Sequence, residues 1–351
     1  MTEEKYASIN NDGAIIMGNL FCSDGHSYDR KHFAFSHMHS DHSVKLPKCL
    51  YNGQVYMTKP TRDLLEAINN ENYGSDVTNH PVKTQITTLD YEESKIVTGA
   101  NGIKEQITFY ESNHVLGASQ VEIVTHQGKK IVYSGDITSQ DVPPENTHTL
   151  IVDSSHGHPQ YNKYSDPESV ERRFLDNIED VIHSSKTQPV VIHAHKGKLQ
   201  EVMALVSSHK ELDEFLFHSS KKNIRIADVY RKYGFNIRNK ILDENSDESE
   251  VKRDSDWPFI QFTSSFNKKT YEINGKAYSV FLVDSIGYDQ IVENKNTSVY
   301  ATSSHADFDN LIKYVEKAKP KYVIVDNYRT KQAPSLTKIL AQKGFTVESQ
   351  P

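Results

Sequence analysis

Cysteine is scarce, at two in 351 residues, and that scarcity excludes a disulfide-stapled secreted scaffold. Cys22 and Cys49 also lack the paired spacing of a zinc ribbon or a redox motif, so both read as ordinary buried thiols. Long apolar runs are missing too: none approaches the ~20 residues of a membrane-spanning helix. Met1 to Asn10 carries two glutamates and no apolar core of the kind a secretory signal needs. The expectation is a cytoplasmic protein with no membrane partner. Basic residues are outnumbered, 40 Lys and Arg against 47 Asp and Glu, for a net charge of −7. That balance argues against indiscriminate coating of nucleic acid, which rests on many contacts to phosphate, but leaves room for a local basic patch.

What remains is polar but globular, 36% hydrophobic and 25% charged, and long enough for one large core with an insertion or for two domains. The 17 histidines are the informative excess, because many stand beside other polar residues at the ends of β-like runs. Gly13 to Cys22, Lys31 to Ser36, Gln54 to Met57, Glu105 to Glu111 and a hairpin from Gln120 to Ser134 turning near Gln127-Gly128 are short runs rich in β-branched and aromatic residues. Leu150 to Val152 reads as a buried strand, and few helices are expected before it. The pattern then changes. Asp166-Pro167 supplies a cap and a proline at the first helical position, followed by an apolar face of Val170, Phe174, Ile178, Val181 and Ile182.

From there strand and helix alternate: a strand at Pro189 to His193, then helices at Leu199 to Ser208 and Arg225 to Tyr233. This is an α/β unit of its own. Asp243 to Asp256 reads as an acidic loop, and Tyr271 to Val283 as a hairpin turning at Asn274-Gly275. A strand at Val299 to Thr302, a helix at Ala306 to Lys317 and a strand–helix–strand run close the chain.

Ligand-type side chains gather at strand ends. His37-Met38-His39-Ser40-Asp41-His42 follows the run Phe33 to Ser36, so three imidazoles and a carboxylate share one tight loop. Such a donor set suits Zn²⁺ or a similar divalent ion; the bland alternative is a solvated histidine-rich loop. His114 follows another strand, in Asn113-His114-Val115-Leu116-Gly117-Ala118, and Asp136 follows a third, in Tyr133-Ser134-Gly135-Asp136. Taken singly, such a histidine is more often structural and such an aspartate more often a turn residue or helix cap. With His305, four separate strand-end sites make coincidence a poor account. The expected geometry is two ions sharing Asp136, with His37, His39 and His114 on the first and Asp41 and His42 on the second.

In this order and spacing the residues resemble the His-x-His-x-Asp-His signature of the metallo-β-lactamase superfamily. Leu150-Ile151-Val152-Asp153 and Ser303-Ser304-His305-Ala306-Asp307 are similar to motifs of its β-CASP nucleases, and Val191 to Glu201 is similar to the strand-to-helix turn of their cap. The resemblance implies an α/β fold: an αββα sandwich formed by residues 1–155 and 299–351, with a β-CASP-like α/β cap inserted at 156–298. It also implies that Asp153 holds His305. RNA-processing members carry a further histidine where this chain has Asn327, after Val323-Ile324-Val325-Asp326. Asp153 and the Asn-His-x-x-Gly-Ala form around His114 look like the Artemis-type DNA branch, and the turn at Lys196-Gly197-Lys198 and Val115-Leu116 beside His114 more like ligase-associated DNA exonucleases and RNA members. The lean is to DNA over RNA.

The chemistry so implied is zinc-dependent phosphodiester hydrolysis, with one or two ions and Mn or Fe as substitutes. A metal-bound hydroxide attacks phosphorus, Asp41 and Asp136 orient it, and His305 protonates the leaving oxygen. Alternatively His305, Asn327 or Asp326 completes the second metal site. His156, His158, His193 and His195 read as loop or phosphate-contact residues. Lys221 to Lys240 holds seven Lys or Arg against the single acid Asp228; Lys221, Lys222, Arg231 and Lys232, with Lys196 and Lys198, are either nucleic-acid contacts or a solvated face. Two rivals stand beside a nuclease: a small-molecule hydrolase of the same fold (lactonase, thioesterase or β-lactamase), and a non-catalytic binding subunit. The long insertion speaks against the first, the complete first-site ligand set against the second.

Overall fold

The computed structural model describes residues 5–70, 86–162, 166–184, 189–253, 258–266, 277–283, 292–294 and 297–351. The chain divides into two compact units: Met1–Glu66, Glu71–Asn162 and Ser304–Pro351 form the first, Ala67–Asn70 and Lys163–Ser303 the second.

The first unit holds two mixed sheets, with strands numbered along the chain. One sheet runs in the order β1 (Ala7–Ile9), β2 (Ile15–Met17), β3 (Phe21–Ser23), β4 (His32–Ala34), β5 (Gln54–Met57), β6 (Ile86–Thr88). The other runs β20 (Val347–Gln350), β19 (Tyr322–Asp326), β11 (Thr149–Val152), β10 (Lys130–Tyr133), β9 (Ser119–Val124), β8 (Lys104–Glu111), β7 (Ser94–Thr98). Alternation along the strands builds both faces of the second sheet. Ile131, Tyr133, Ile151 and Ile324 point to a core shared with Phe21, Ala34 and Tyr56 of the first sheet. Their neighbours Val132, Leu150, Val152, Val323 and Val325 point the other way, onto α8 (Phe308–Ala318) and α9 (Ala333–Gln342). Strands covered on both faces read as continuous apolar runs, and these do. This mixed α/β arrangement is consistent with a metallo-β-lactamase-type sandwich.

Strand direction decides where the chemistry goes. β3 and β4 are parallel, β10 and β11 are parallel, and β8 reaches the same direction through two antiparallel steps. The residues leaving β4, β8, β10 and β11 are the loop beginning His37, the loop bearing His114, Gly135-Asp136 and Asp153.

The second unit has a seven-stranded sheet in the order β14 (Ile241–Asp243), β13 (Phe217–Ser219), β15 (Ile260–Thr263), β12 (Val190–His193), β16 (Tyr278–Val283), β18 (Thr297–Ala301), β17 (Val292–Asn294). It is parallel except for its β17–β18 edge. Helices α4 (Pro167–Ser184), α5 (Lys198–Ser208), α6 (Lys221–Lys232) and α7 (Asp247–Arg253) belong to it. Asp166 caps α4 as expected, accepting from the Ser169 amide at 3.0 Å.

Several expectations are corrected. Gly13 to Cys22 is two antiparallel strands, with Gly18 at φ 57° between them. Among the described residues before β11 the helices are few, as expected: α1 (Ser40–Ser43), α2 (Leu46–Asn52) and α3 (Lys59–Asn69). The acidic segment read as a loop contains α7, whose first turn places Asp247, Glu248 and Glu250 where the helix dipole favours negative charge. The Asn274-Gly275 turn lies outside the described residues, and β16 pairs in parallel with β12 and β18.

Candidate metal centre

The turn that delivers Asp136 needs a glycine. Gly135 has φ 55°, and a Cβ there would stand 2.9 Å from the Ser119 carbonyl oxygen. Only a residue without a side chain lets β10 bend directly into the site.

Four donor atoms converge, from His37, His39, His114 and Asp136. His39 Nδ1 lies 3.1 Å from His37 Nε2 and 3.0 Å from His114 Nε2. Asp136 Oδ2 lies 3.5 Å from His37 Nε2 and 3.3 Å from His114 Nε2. Zinc bonds of about 2.0–2.1 Å in a tetrahedron put ligand atoms about 3.3–3.4 Å apart, so these separations fit one ion. The imidazoles are prepared for it by their far nitrogens. His114 Nδ1 is 2.7 Å from the Ser304 carbonyl and His37 Nδ1 3.0 Å from Ser36 Oγ. Contacts of this kind fix the ring and turn the other nitrogen's lone pair inward. Burial holds the His37 imidazole well below the usual histidine range, and burial with the neighbouring His305 charge holds His114 down at about 3. Both are neutral, as ligation requires.

Asp136 faces two ways. Its Oδ1 lies 3.3 Å from His42 Nε2, which also has Asp41 Oδ2 at 3.4 Å. His42 Nε2 is buried and makes no well-aligned hydrogen bond, an orphan that a second ion beside Asp41 and Asp136 would satisfy. Burial disfavours charge on His42, but the carboxylates of Asp136 and Asp24 outweigh it and hold its pKa well above the usual range, so an ion bound there would have to displace its proton.

Sequence reasoning missed Asp24. It follows β3, is 3% exposed, accepts from the Ser36 amide and hydroxyl at 2.8 and 2.5 Å, and lies 2.7 Å from His42 Nδ1. One carboxylate thus orients both His42 and the serine behind His37. Its only signal was an acid at a strand end in Ser23-Asp24-Gly25. Arg329 was also missed. It ties the Asp24 carbonyl at 2.8 Å to the Asp326 carboxylate at 2.6 Å.

His305 joins the cluster, its Nδ1 3.5 Å from Asp153 Oδ2 and 4.0 Å from Asp136 Oδ2. Asp153 is held in place by Ser155, whose amide and hydroxyl both reach Oδ1 at 2.8 Å. Asp326 and Asn327 are not brought into it. Asp326 is engaged by Arg329, and the Asn327 amide nitrogen reaches the Pro351 carbonyl at 3.4 Å. Among the accessory histidines, His156 stacks on Tyr161 and His158 caps the turn at Gln160. His193 is buried, corrected from a loop position, and stacks on Phe281.

The basic candidates lie in the second unit. Lys198 pairs with Glu201 at 3.5 Å, Lys221 with Asp243 at 3.5 Å, and Lys232 lies over the Tyr233 ring at 5.6 Å. Burial, with the charge of nearby Lys222, holds Lys196 below the usual lysine range. Arg231 is corrected: its guanidinium bonds the Ile237 and Asn239 carbonyls at 2.8 and 3.0 Å and Asp228 at 2.8 Å. It ties a loop to its helix.

No family model matches the chain. A protein of Acidianus ambivalens, described as an uncharacterized protein in the lig 3′ region, is 32% identical over 133 residues, 37% of this chain and 90% of its own length. Probable RNase MJ4 of Methanocaldococcus jannaschii is 20% identical over 88% of this chain and 84% of its length. Transcription termination factor FttA of Pyrococcus abyssi is 27% identical over 203 residues, half of this chain but only 30% of that factor. A crystal structure of a protein of unknown function from Enterococcus faecalis shares the fold, with a TM-score of 0.58 at 12% identity over 89% of this chain and 79% of its own. The chain belongs to one family with the Acidianus protein and is a homologue of the β-CASP metallo-hydrolases of the FttA group, its histidine and aspartate cluster consistent with the metallo-β-lactamase-fold nucleases.

Proposed function

We propose that this chain is a metal-dependent nuclease that hydrolyses phosphodiester bonds, with zinc as the native metal, Mn or Fe as substitutes, and residues 156–298 as a β-CASP-like cap. The observation that carries the reading is the set of four donor atoms at tetrahedral separations, with His42 Nε2 orphaned beside them. His37, His39, His114 and Asp136 would hold one ion, and Asp41, His42 and Asp136 a second. A divalent ion bound there would supply Lewis acidity and lower the pKa of water to about 7. Asp41 and Asp136 orient the attacking water. His305, steadied by Asp153, delivers a proton to the leaving oxygen. Lys196, Lys198, Lys221, Lys222 and Lys232 contribute phosphate contacts.

The motif forms around Asp153 and His114 favour DNA, whereas the named relatives are an RNase and termination factors, so both polymers belong in the test. The purified chain, analysed for bound metal, is assayed on single-stranded DNA, single-stranded RNA and a generic lactone. Cleavage of a polynucleotide, lost on chelation and restored by Zn²⁺ or Mn²⁺, is expected. Lactone hydrolysis without polymer cleavage would establish the small-molecule reading, and bound metal with neither activity a binding subunit.

A further inference from the structure

The metal loop continues into a helical stretch whose outer face is not ordinary surface. Helices α1 and α2 follow one another through a turn at Val44 and Lys45. They bury His42, Leu46, Cys49 and Leu50. Toward solvent they leave an exposed stripe of Asp41, Val44, Lys48 and Tyr51. Val44 is 66% and Tyr51 85% exposed. Beside the stripe stands Tyr28, 78% exposed, with Lys48 Nζ bonded to its hydroxyl at 3.0 Å and over its ring at 4.3 Å. His26 packs edge-on to Tyr28 and feels the positive charges of Lys48, Lys31 and Lys45. In the neighbouring loop, Asp29 is paired with Arg30.

A folded chain of net charge −7 thus sets Lys48 against Tyr28, keeps Lys31 and Lys45 near enough to act on His26, and leaves Tyr51 exposed, on a stripe that begins at a metal-loop carboxylate. Exposed aromatics interleaved with cations are what a single strand requires, rings for bases and ammonium groups for phosphates.

We propose that this stripe seats a single-stranded polynucleotide leading to the metal centre, with Tyr28 and Tyr51 stacking on bases and Lys31, Lys45 and Lys48 meeting phosphates. The inference rests on the nuclease reading and extends it to a substrate track within the first unit. The test is fluorescence anisotropy with a labelled single-stranded oligonucleotide, across a salt series, on the full chain and on Tyr28→Ala/Tyr51→Ala and Lys48→Gln. Circular dichroism confirms that each variant is folded. The double tyrosine variant is expected to bind at least about tenfold more weakly, with little change in salt dependence. Lys48→Gln is expected to flatten the slope of log affinity against log salt by about 0.7. A wild-type chain that cleaves polynucleotide, together with folded variants of unchanged affinity and slope, would overturn this inference and leave the nuclease reading standing. A wild-type chain that neither binds nor cleaves polynucleotide would overturn both.

Discussion

At the metal edge of the first unit the imidazoles of His37, His42 and His114 point inward; in the basic stretch of the second the side chains point outward or are tied to their own loop. The His37, His42 and His114 side chains are at most 1% exposed, whereas that of Lys221 is 77% exposed. The difference sets what each group is worth. A buried polar atom without a partner costs several times what a solvated one does, so the far nitrogens of the imidazoles are met by Ser304, Ser36 and Asp24, and their facing nitrogens suit a metal ion. A solvated lysine has no such obligation. It forms weak pairs of ~0–1 kcal/mol and is free to leave them, which suits a group that meets a polymer only transiently.

The sharpest way to break this contrast is to remove the one group the whole edge shares. Asp136 faces His37 and His114 with one oxygen and His42 with the other. Asp136→Ala should lower activity by at least about a thousandfold, the several kcal/mol that a bound ion supplies, while circular dichroism shows an intact fold. Unchanged cleavage with metal still bound would show that the cluster is not the active centre.

A smaller effect is expected one shell out. Asp24→Asn removes the carboxylate that orients His42 and Ser36, and partners of this kind are worth about 10–100-fold in metal affinity. On the two-ion proposal the loss should fall on the second ion, which Asp41, His42 and Asp136 would hold without an imidazole at position 327. Chelator titration followed by metal analysis should remove that ion first from the wild type, and at lower chelator concentration from Asp24→Asn. Simultaneous release of two ions in both proteins would place the asymmetry elsewhere.

Why Asp24 escaped the sequence reading while His37 to Asp136 did not is physical. Ligation demands particular side chains at strand ends, and solvation alone gives no reason for three histidines to share one short loop. A supporting carboxylate needs only to be an acid, and Asp24 is one of 47 acids in the chain. The strands were legible for a similar reason: Ile131, Val132 and Tyr133, or Val323, Ile324 and Val325, are apolar on both faces because both faces are covered. Helix α3 was missed because its apolar content is thin, with Leu64 and Leu65 buried but Arg62 and Glu66 among the rest. Segment 243–256 looked like a loop because α7 opens on Asp247, Glu248 and Glu250, residues that stabilise a helix start as readily as they solvate a turn.

The basic stretch offers the finest test, because the structure separates residues that composition groups together. Arg231 bonds two backbone carbonyls and Asp228, so Arg231→Gln should act on the fold, lowering stability by about 1–3 kcal/mol and shifting the melting temperature whether or not nucleic acid is present. Lys221 instead meets Asp243 across open surface at 3.5 Å, a contact of the weak exposed kind. Replacement of Lys221, Lys222 and Lys232 by glutamine should therefore leave the melting temperature within a degree or two. If all three meet phosphates, the salt slope of single-strand binding should fall by about 2, at about 0.7 per contact. The two variants must therefore differ in kind: one melts earlier at an unchanged slope, the other melts normally with a flatter slope. A triple lysine variant with an unchanged slope would make this face plain solvated surface, and would leave the phosphate contacts to Lys196 and Lys198 or to the lysines around Tyr28.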